Sequence, residues 1–266
     1  MPNLSTESRV QLRLHDGIAA IELHAPAQRN ALDHAAWLKL ADICATLHAD
    51  KNIRSVTLRG VGANFCAGAD INELRANIQN TSWMQQNQLA VGAALDAYAA
   101  LPQPTVAIIE GACVGGGAAL AFSSDFRIAA DNLRLSITPA KLGLSYRLVD
   151  CLRVVRAVGH AHARTLLLLA QEIDATTAQQ WGAVTAICAR EKLDATAAEF
   201  IGRLSSLSTT SQRAIKANLA KIANGSVADD AQSMANFSAA FSLPDFANAA
   251  TQFLNKPAKI KTVSKT

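Results

Sequence analysis

The sequence predicts an α/β protein with a helical C-terminal region. Three observations carry this expectation. Short apolar runs bounded by Gly, Pro and Asp-Gly signals recur through the first two-thirds of the chain, and helical spacing takes over from Leu193 onward. In addition, two small-residue turns, Asn64 to Ile71 and Glu110 to Ala119, each follow an apolar run. The expected division is an α/β core over residues 1–195 and a helical region over 196–266.

Val10, Leu12 and Leu14 alternate, Asp16-Gly17 turns the chain, and Ile18 to Leu23 returns it, which reads as an opening hairpin ended by Pro26. Asp33 is the N-cap of a helix whose buried stripe uses Trp37, Leu40, Ala41, Cys44 and Leu47. Ile53 to Leu58 is a strand, and a long alanine-rich helix runs from Trp83 to Leu101, stopped by Pro102 and Pro104. Thr105 to Ile109 is a buried strand that leads to the glycine run, after which Gly117 to Phe122 is helical. Strands at Phe126 to Ala129 and Leu133 to Ile137 follow, then helices over Leu148 to Val158 and His160 to Ala170 with Gly159 as C-cap between them. Val184 to Cys188 is the last strand.

Composition narrows the functional classes. The 266 residues suffice for one large domain or a domain with an appendage. No uninterrupted apolar stretch approaches the roughly 20 residues that span a bilayer, so a soluble protein with no membrane partner is expected. The amino terminus lacks a basic start and an apolar centre. The cysteines, at 44, 66, 113, 151 and 188, are scattered, odd in number and form no C-x-x-C pair. Both features fit a reducing, cytoplasmic setting. A net charge of +4 spread along the chain, with few aromatics, argues against nucleic acid. The six histidines show no metal-ligand spacing, and no Gly-Lys-Ser/Thr follows Gly117, which excludes a P-loop.

The two small-residue turns are the chemical signal. With no side chains to obstruct the approach, the backbone N–H of Ala69 and that of Gly116 can both reach one ligand oxygen. A ligand oxygen that gains negative charge during a reaction is stabilised by two such preorganised donors more than the neutral form is. Gly116 also opens a helix whose amino-terminal dipole adds to the same field. Cys66 and Cys113 flank these turns, yet no histidine is present in either motif to activate them, so they are expected to be buried packing.

Gln28-Arg29-Asn30-Ala31-Leu32, Cys66 to Ile71, Glu110 to Gly117, Ser124 to Ala130 and Gly182-Ala183-Val184 stand in an order and register that resembles the enoyl-CoA hydratase/isomerase, or crotonase, superfamily over nearly the whole chain. The resemblance implies a crotonase-like spiral of ββα units, C-terminal helices that build trimers or dimers of trimers, and a coenzyme A thioester as substrate, with no separate cofactor. Carried over by position, it implies that Ala69 and Gly116 hold the thioester oxygen. Gln28, Arg29, Ala31, Ala67, Asp70 and Ile71 then line the adenine and pantetheine pocket, and Phe253 and Lys256 meet the nucleotide end. Phe253 also reads as a core residue and Lys256 as a solvated one.

Hydratases of this family carry a pair of glutamates, and the matching positions here are Ala119 and Pro139. Neither side chain moves a proton. Pro139 is counted only among the residues facing the substrate, while Glu73, Glu110 and Asp150 are the alternative carboxylates. The segment Ser136 to Val149, with Thr138-Pro139, Leu142-Gly143, Tyr146 and Leu148-Val149, is similar to the methylmalonyl-CoA decarboxylase branch, although that branch carries a histidine where Ala69 stands. Decarboxylation suits a site without a strong base, since departing carbon dioxide leaves behind the electron pair of the enolate. Tyr146 then positions the carboxylate or lines an apolar pocket, and Arg147 and Lys141 are alternative carboxylate holders.

Overall fold

A computed structural model describes residues 8–254. The chain falls into two compact units that meet in sequence at Ser206 and Leu207. In the first, β1 (Val10–His15) and β2 (Ile18–Leu23) form the expected hairpin, with Asp16 and Gly17 both at positive φ in the turn. From β2 the sheet continues in parallel through β3 (Ser55–Gly60), β4 (Thr105–Ile109), β6 (Phe126–Ala130) and β9 (Ala186–Cys188). A second sheet joins β5 (Ala112–Val114), β7 (Arg134–Ser136) and the short β8 (Ile173–Asp174). Every residue of β4 is buried, which explains its unbroken apolar run in place of alternation.

Helices cover these sheets. α1 (His34–Ala49) starts at its predicted cap, Asp33, which accepts from the Ala36 N–H, and buries the stripe Trp37, Leu40, Cys44 and Leu47. α2 (Ile71–Asn77) was not expected from the sequence, because a helix of this length with no buried residue has no periodic stripe to betray it. α3 (Thr81–Ala99) is capped by Asn80 and packs on α1. α4 (Gly116–Ser123) is buried from Gly117 to its end. α5 (Leu148–Leu168) contains the break expected at Gly159, whose φ of 74° and ψ of 167° are not helical. α6 (Ala175–Gln180) follows β8.

The expected boundary at 195 and 196 falls within α7 (Leu193–Ser205), which belongs to the first unit. Its Leu193, Ala197 and Ile201 pack with Val106, Ile108, Ile128 and Ala130 on the face of β4 and β6 opposite the main core. The second unit contains α8 (Thr209–Ala223), α9 (Ala231–Ala240) and α10 (Pro244–Leu254). Asp230 opens α9 with a capping box to Ser233 and pairs with Lys221 of α8 at 2.6 Å. Phe253 is in α10, and Lys256 lies outside the described residues. Among the described residues, no helix is long and apolar enough to cross a membrane.

Candidate active site

Two loops meet at the predicted place. The first leaves β3 and runs beside β5: Phe65 N–H donates to the Glu110 carbonyl at 2.7 Å, Cys66 N–H to Ala112 at 2.9 Å, and Val114 N–H to Cys66 at 2.9 Å. Ala69 then forms a parallel bridge with Leu32, in which Leu32 N–H donates to Gly68 at 2.8 Å and Asp70 N–H to Leu32 at 3.0 Å. In that pattern the flanking residues spend their groups on Leu32, so the N–H of Ala69 itself points to the other side. The second loop turns at Gly115, whose φ of 55° and ψ of −112° suit glycine, and Gly116 is the first residue of α4. Its N–H is among the donors that a helix start leaves unpaired.

Close backbone contact joins the two. A methyl group added at Gly68, where φ is +94°, would lie 2.9 Å from the Val114 carbonyl oxygen and 3.0 Å from the Gly116 nitrogen. One added at Gly117 would collide with the Cys66 carbonyl and sit 2.8 Å from the Cys66 Cβ. The motifs therefore consist of small residues because main chain presses on main chain.

Gln28 ends a 3-10 turn, Pro26–Gln28, followed by Arg29 and Asn30 in left-handed conformation. Asn30 holds that conformation: its buried amide donates to the carbonyls of Val61 at 3.0 Å and Asn64 at 2.7 Å and accepts from Ala25 N–H at 3.0 Å. The Arg29 carbonyl accepts from Ala67 N–H at 2.9 Å, so the structure sets residues 28–31 beside 67–71. Ile71 projects into solvent, 70% exposed, whereas Ala31 is buried. Asp70 is structural as well as adjacent: it caps α2 by accepting from Asn72 and Glu73 N–H, and Arg9 Nη1 reaches its Oδ2 at 2.6 Å.

Burial alone would raise the Asp70 carboxyl, but Arg9 and the two amides outweigh it and hold it below the usual carboxylate range. A depressed folded-state value means stability that is present above the ordinary carboxylate value, about 3.9, and lost as pH falls through the native one. Asp70→Ala is accordingly expected to lower stability by about 0.5–2 kcal/mol at neutral pH. Urea melts of both proteins down the acid limb check this, because the gap closes once the wild-type carboxylate is protonated.

The remaining candidates separate into paired and unpaired groups. Ala119 is buried within α4, and Pro139 opens a 3-10 turn, Pro139–Leu142, beside the glycine loop, with Thr138 Oγ1 3.1 Å from where a Gly115 methyl would stand. Tyr146 is half-buried against the main core, with its hydroxyl enclosed and without a hydrogen-bond partner. Burial, then Asp150, Cys151 and Cys113, push its phenol upward. Arg147, the alternative carboxylate holder, is already engaged by Asp150 at 2.7 Å and by Asp96 at 2.9 Å, and Arg153 closes the ring at 2.6 and 2.9 Å to the same two carboxylates. Lys141 is exposed.

Of the alternative acids, Asp150 is thus held by two arginines, and Glu110 pairs with Arg190. Glu73 accepts from the His34 N–H at 2.8 Å, and its carboxyl is raised by burial and by Asp33 and Asp70, against the opposing effect of His34. Cys66 and Cys113 face each other across an isolated bridge, both fully buried, as expected of packing residues. Burial pushes the Cys66 thiol up to about 12, which removes it as a nucleophile at neutral pH. Arg9 and Asn30 are supporting residues to which the sequence alone assigns no role, although Asn30 stands within the Gln28 to Leu32 motif. Asn30 left a signal, a polar residue between Arg29 and two apolar ones, whereas nothing local marks Arg9.

The enoyl-CoA hydratase/isomerase family model matches residues 13–260. The chain belongs to that family. It is 31% identical over 176 residues to the mitochondrial delta(3,5)-delta(2,4)-dienoyl-CoA isomerase of Dictyostelium discoideum, a match that covers 63% of this chain and 60% of that one. Against the 1,2-epoxyphenylacetyl-CoA isomerase of Escherichia coli, identity is 29% over 200 residues, 73% of this chain and 74% of the other. A crystal structure of an enoyl-CoA hydratase/isomerase family protein from Hyphomonas neptunium superposes with a TM-score of 0.88 at 28% identity, covering 92% of this chain and 94% of its own. The mixed α/β architecture with its parallel sheet is therefore the crotonase-like fold expected of the sequence.

Proposed function

We propose that the protein processes acyl-CoA thioesters by holding a thioester enolate between the amides of Ala69 and Gly116, and that its reaction is decarboxylation of a malonyl-type CoA thioester. The observation that carries the first half is the backbone contact between Gly68 and Gly116, which brings two differently anchored donor loops to one place. The second half is supported by what surrounds it. Ala119 and Pro139 stand where hydratases of the family carry glutamates, and Asp150 and Glu110 are committed to arginines. In the reaction the bond from the α carbon to the carboxylate breaks, its electron pair becomes the enolate, carbon dioxide leaves, and a proton from water completes the product. The chain's task is to bind, orient and exclude water. Residues 28–31 and 67–71 are the proposed cradle for the coenzyme.

A second reading is hydration or isomerisation with Glu73 as the acid or base. Its raised carboxyl and its position four residues after Ala69 favour it, and the isomerase relatives lend it weight. One experiment separates these readings: the purified protein is incubated with malonyl-CoA, methylmalonyl-CoA and crotonyl-CoA, and the products are resolved by chromatography. Acetyl-CoA or propionyl-CoA above the blank supports decarboxylation. Crotonyl-CoA turnover that is lost in Glu73→Gln supports the second reading. Tight binding without turnover anywhere overturns both in favour of a silent acyl-CoA-binding protein.

A further inference from the structure

The two donor loops are separate in sequence, yet one helix touches both. At its first turn α1 is fastened to the Ala69 side. Leu32, just before it, bridges Ala69, Glu73 accepts from the His34 N–H at 2.8 Å, and Arg9 joins the α1 cap Asp33 at 3.1 Å to the α2 cap Asp70 at 2.6 Å. One turn further along, α1 meets the other loop through the side chain of Trp37. The Cζ2 and Cη2 atoms of Trp37 lie 3.1 and 3.4 Å from where a methyl on Gly116 would be.

That side chain is held. Trp37 is 1% exposed, so its ring is packed on all sides and has no room to swing. Its indole Nε1–H is also buried without a hydrogen-bond partner. A buried, unpaired donor is a cost that phenylalanine or leucine at the same core position would avoid. What tryptophan alone supplies is reach: Cζ2 and Cη2 form the far edge of its six-membered ring, beyond where a phenylalanine would end.

We propose that Trp37 is a positioning residue that sets the Gly116 amide against the Ala69 amide, with α1 as the common spacer between the two donors. This rests on the oxyanion reading given above. The consequence is specific. Withdrawing the ring edge lets the Gly115-Gly116 turn settle toward α1, which weakens polarisation of a bound carbonyl while leaving residues 28–31, and hence coenzyme affinity, largely untouched.

Acetyl-CoA labelled with carbon-13 at its carbonyl tests this by infrared difference spectroscopy on the full chain. Bound to the wild type, its carbonyl stretch is expected below the value in free solution. In Trp37→Phe at least half of that shift is lost, while affinity changes by less than about threefold. Trp37→Met, which fills the volume flexibly, gives the same loss and serves where the phenylalanine variant does not fold, with melting temperature and circular dichroism as the check. A wild-type shift that persists in a folded Trp37 variant overturns the positioning role alone. Acetyl-CoA bound to the wild type with no shift overturns the oxyanion reading itself, and the role of Trp37 with it.

Discussion

Gly68→Ala lowers kcat/KM on the best acyl-CoA substrate by about 100-fold or more, an effect comparable with removing one oxyanion donor, about 2.7–4 kcal/mol of transition-state stabilisation. Two causes act together. The backbone at Gly68 has a φ of +94°, which an alanine adopts only with strain, and the new methyl would be 3.0 Å from the Gly116 nitrogen and 2.9 Å from the Val114 carbonyl oxygen. Neither neighbour is the free end of a flexible side chain, so the main chain must shift and the two donors separate. Steady-state kinetics alongside a melting curve checks the result. The expected signature is a fall in kcat larger than any rise in KM, because the enolate needs both amides while ground-state binding is spread along the coenzyme. Activity within about threefold of wild type in a folded Gly68→Ala protein would remove the oxyanion reading.

The sequence exposed the parts of the site that depend on local backbone chemistry. Gly115 turns at positive φ, Gly116 faces the Trp37 ring edge and the Gly68 backbone, and Gly117 has no space beside the Cys66 main chain, and such glycine runs are visible without a structure. The hairpin, the Asp33 cap and the break at Gly159 were legible for the same reason. Non-local pairing was not. Residues 112–114 form a strand only because Arg134 to Ser136 and the 64–66 loop lie on either side of them, and three residues carry no alternation to read. Residues 173–180 carry no readable pattern for a similar reason: β8 is two residues long and α6 six. Charged groups were the least legible. Arg147 and Asp150 look available as chain text, but Asp96 and Arg153, from α3 and α5, complete a ring that engages them.

The same contrast between local text and distant partners explains the Ser124-Asp125-Phe126-Arg127 motif. Asp125 Oδ2 accepts from the Thr105 N–H at 2.7 Å and from its hydroxyl at 3.0 Å, which ties the end of α4 to the start of β4. Arg127 is buried and lies beneath the C-terminal end of α4, where its Nη1 donates to the carbonyls of Ser124 at 2.7 Å and Ala121 at 3.3 Å, and its Nε donates to Ala183 at 2.7 Å. A cation at that end complements the helix dipole. The helix that carries Gly116 is therefore held at both ends, by close main-chain packing at its start and by a buried guanidinium at its finish.

Arg127→Met removes the second anchor. The Ser124 and Ala183 carbonyls lose a charged donor inside the protein, at about 1–3 kcal/mol for each acceptor left unpaired, so a loss of about 3 kcal/mol is expected. Denaturant melts read this as a lower midpoint at unchanged slope. Arg127→Lys keeps the charge without the planar fork and should fall between the two. Burial lowers the Arg127 pKa, with Asp125 opposing it, so the guanidinium is retained against a real desolvation cost. If the methionine variant were as stable as the wild type, the carbonyls would have found other partners, and the second anchor of α4 would have to be sought elsewhere.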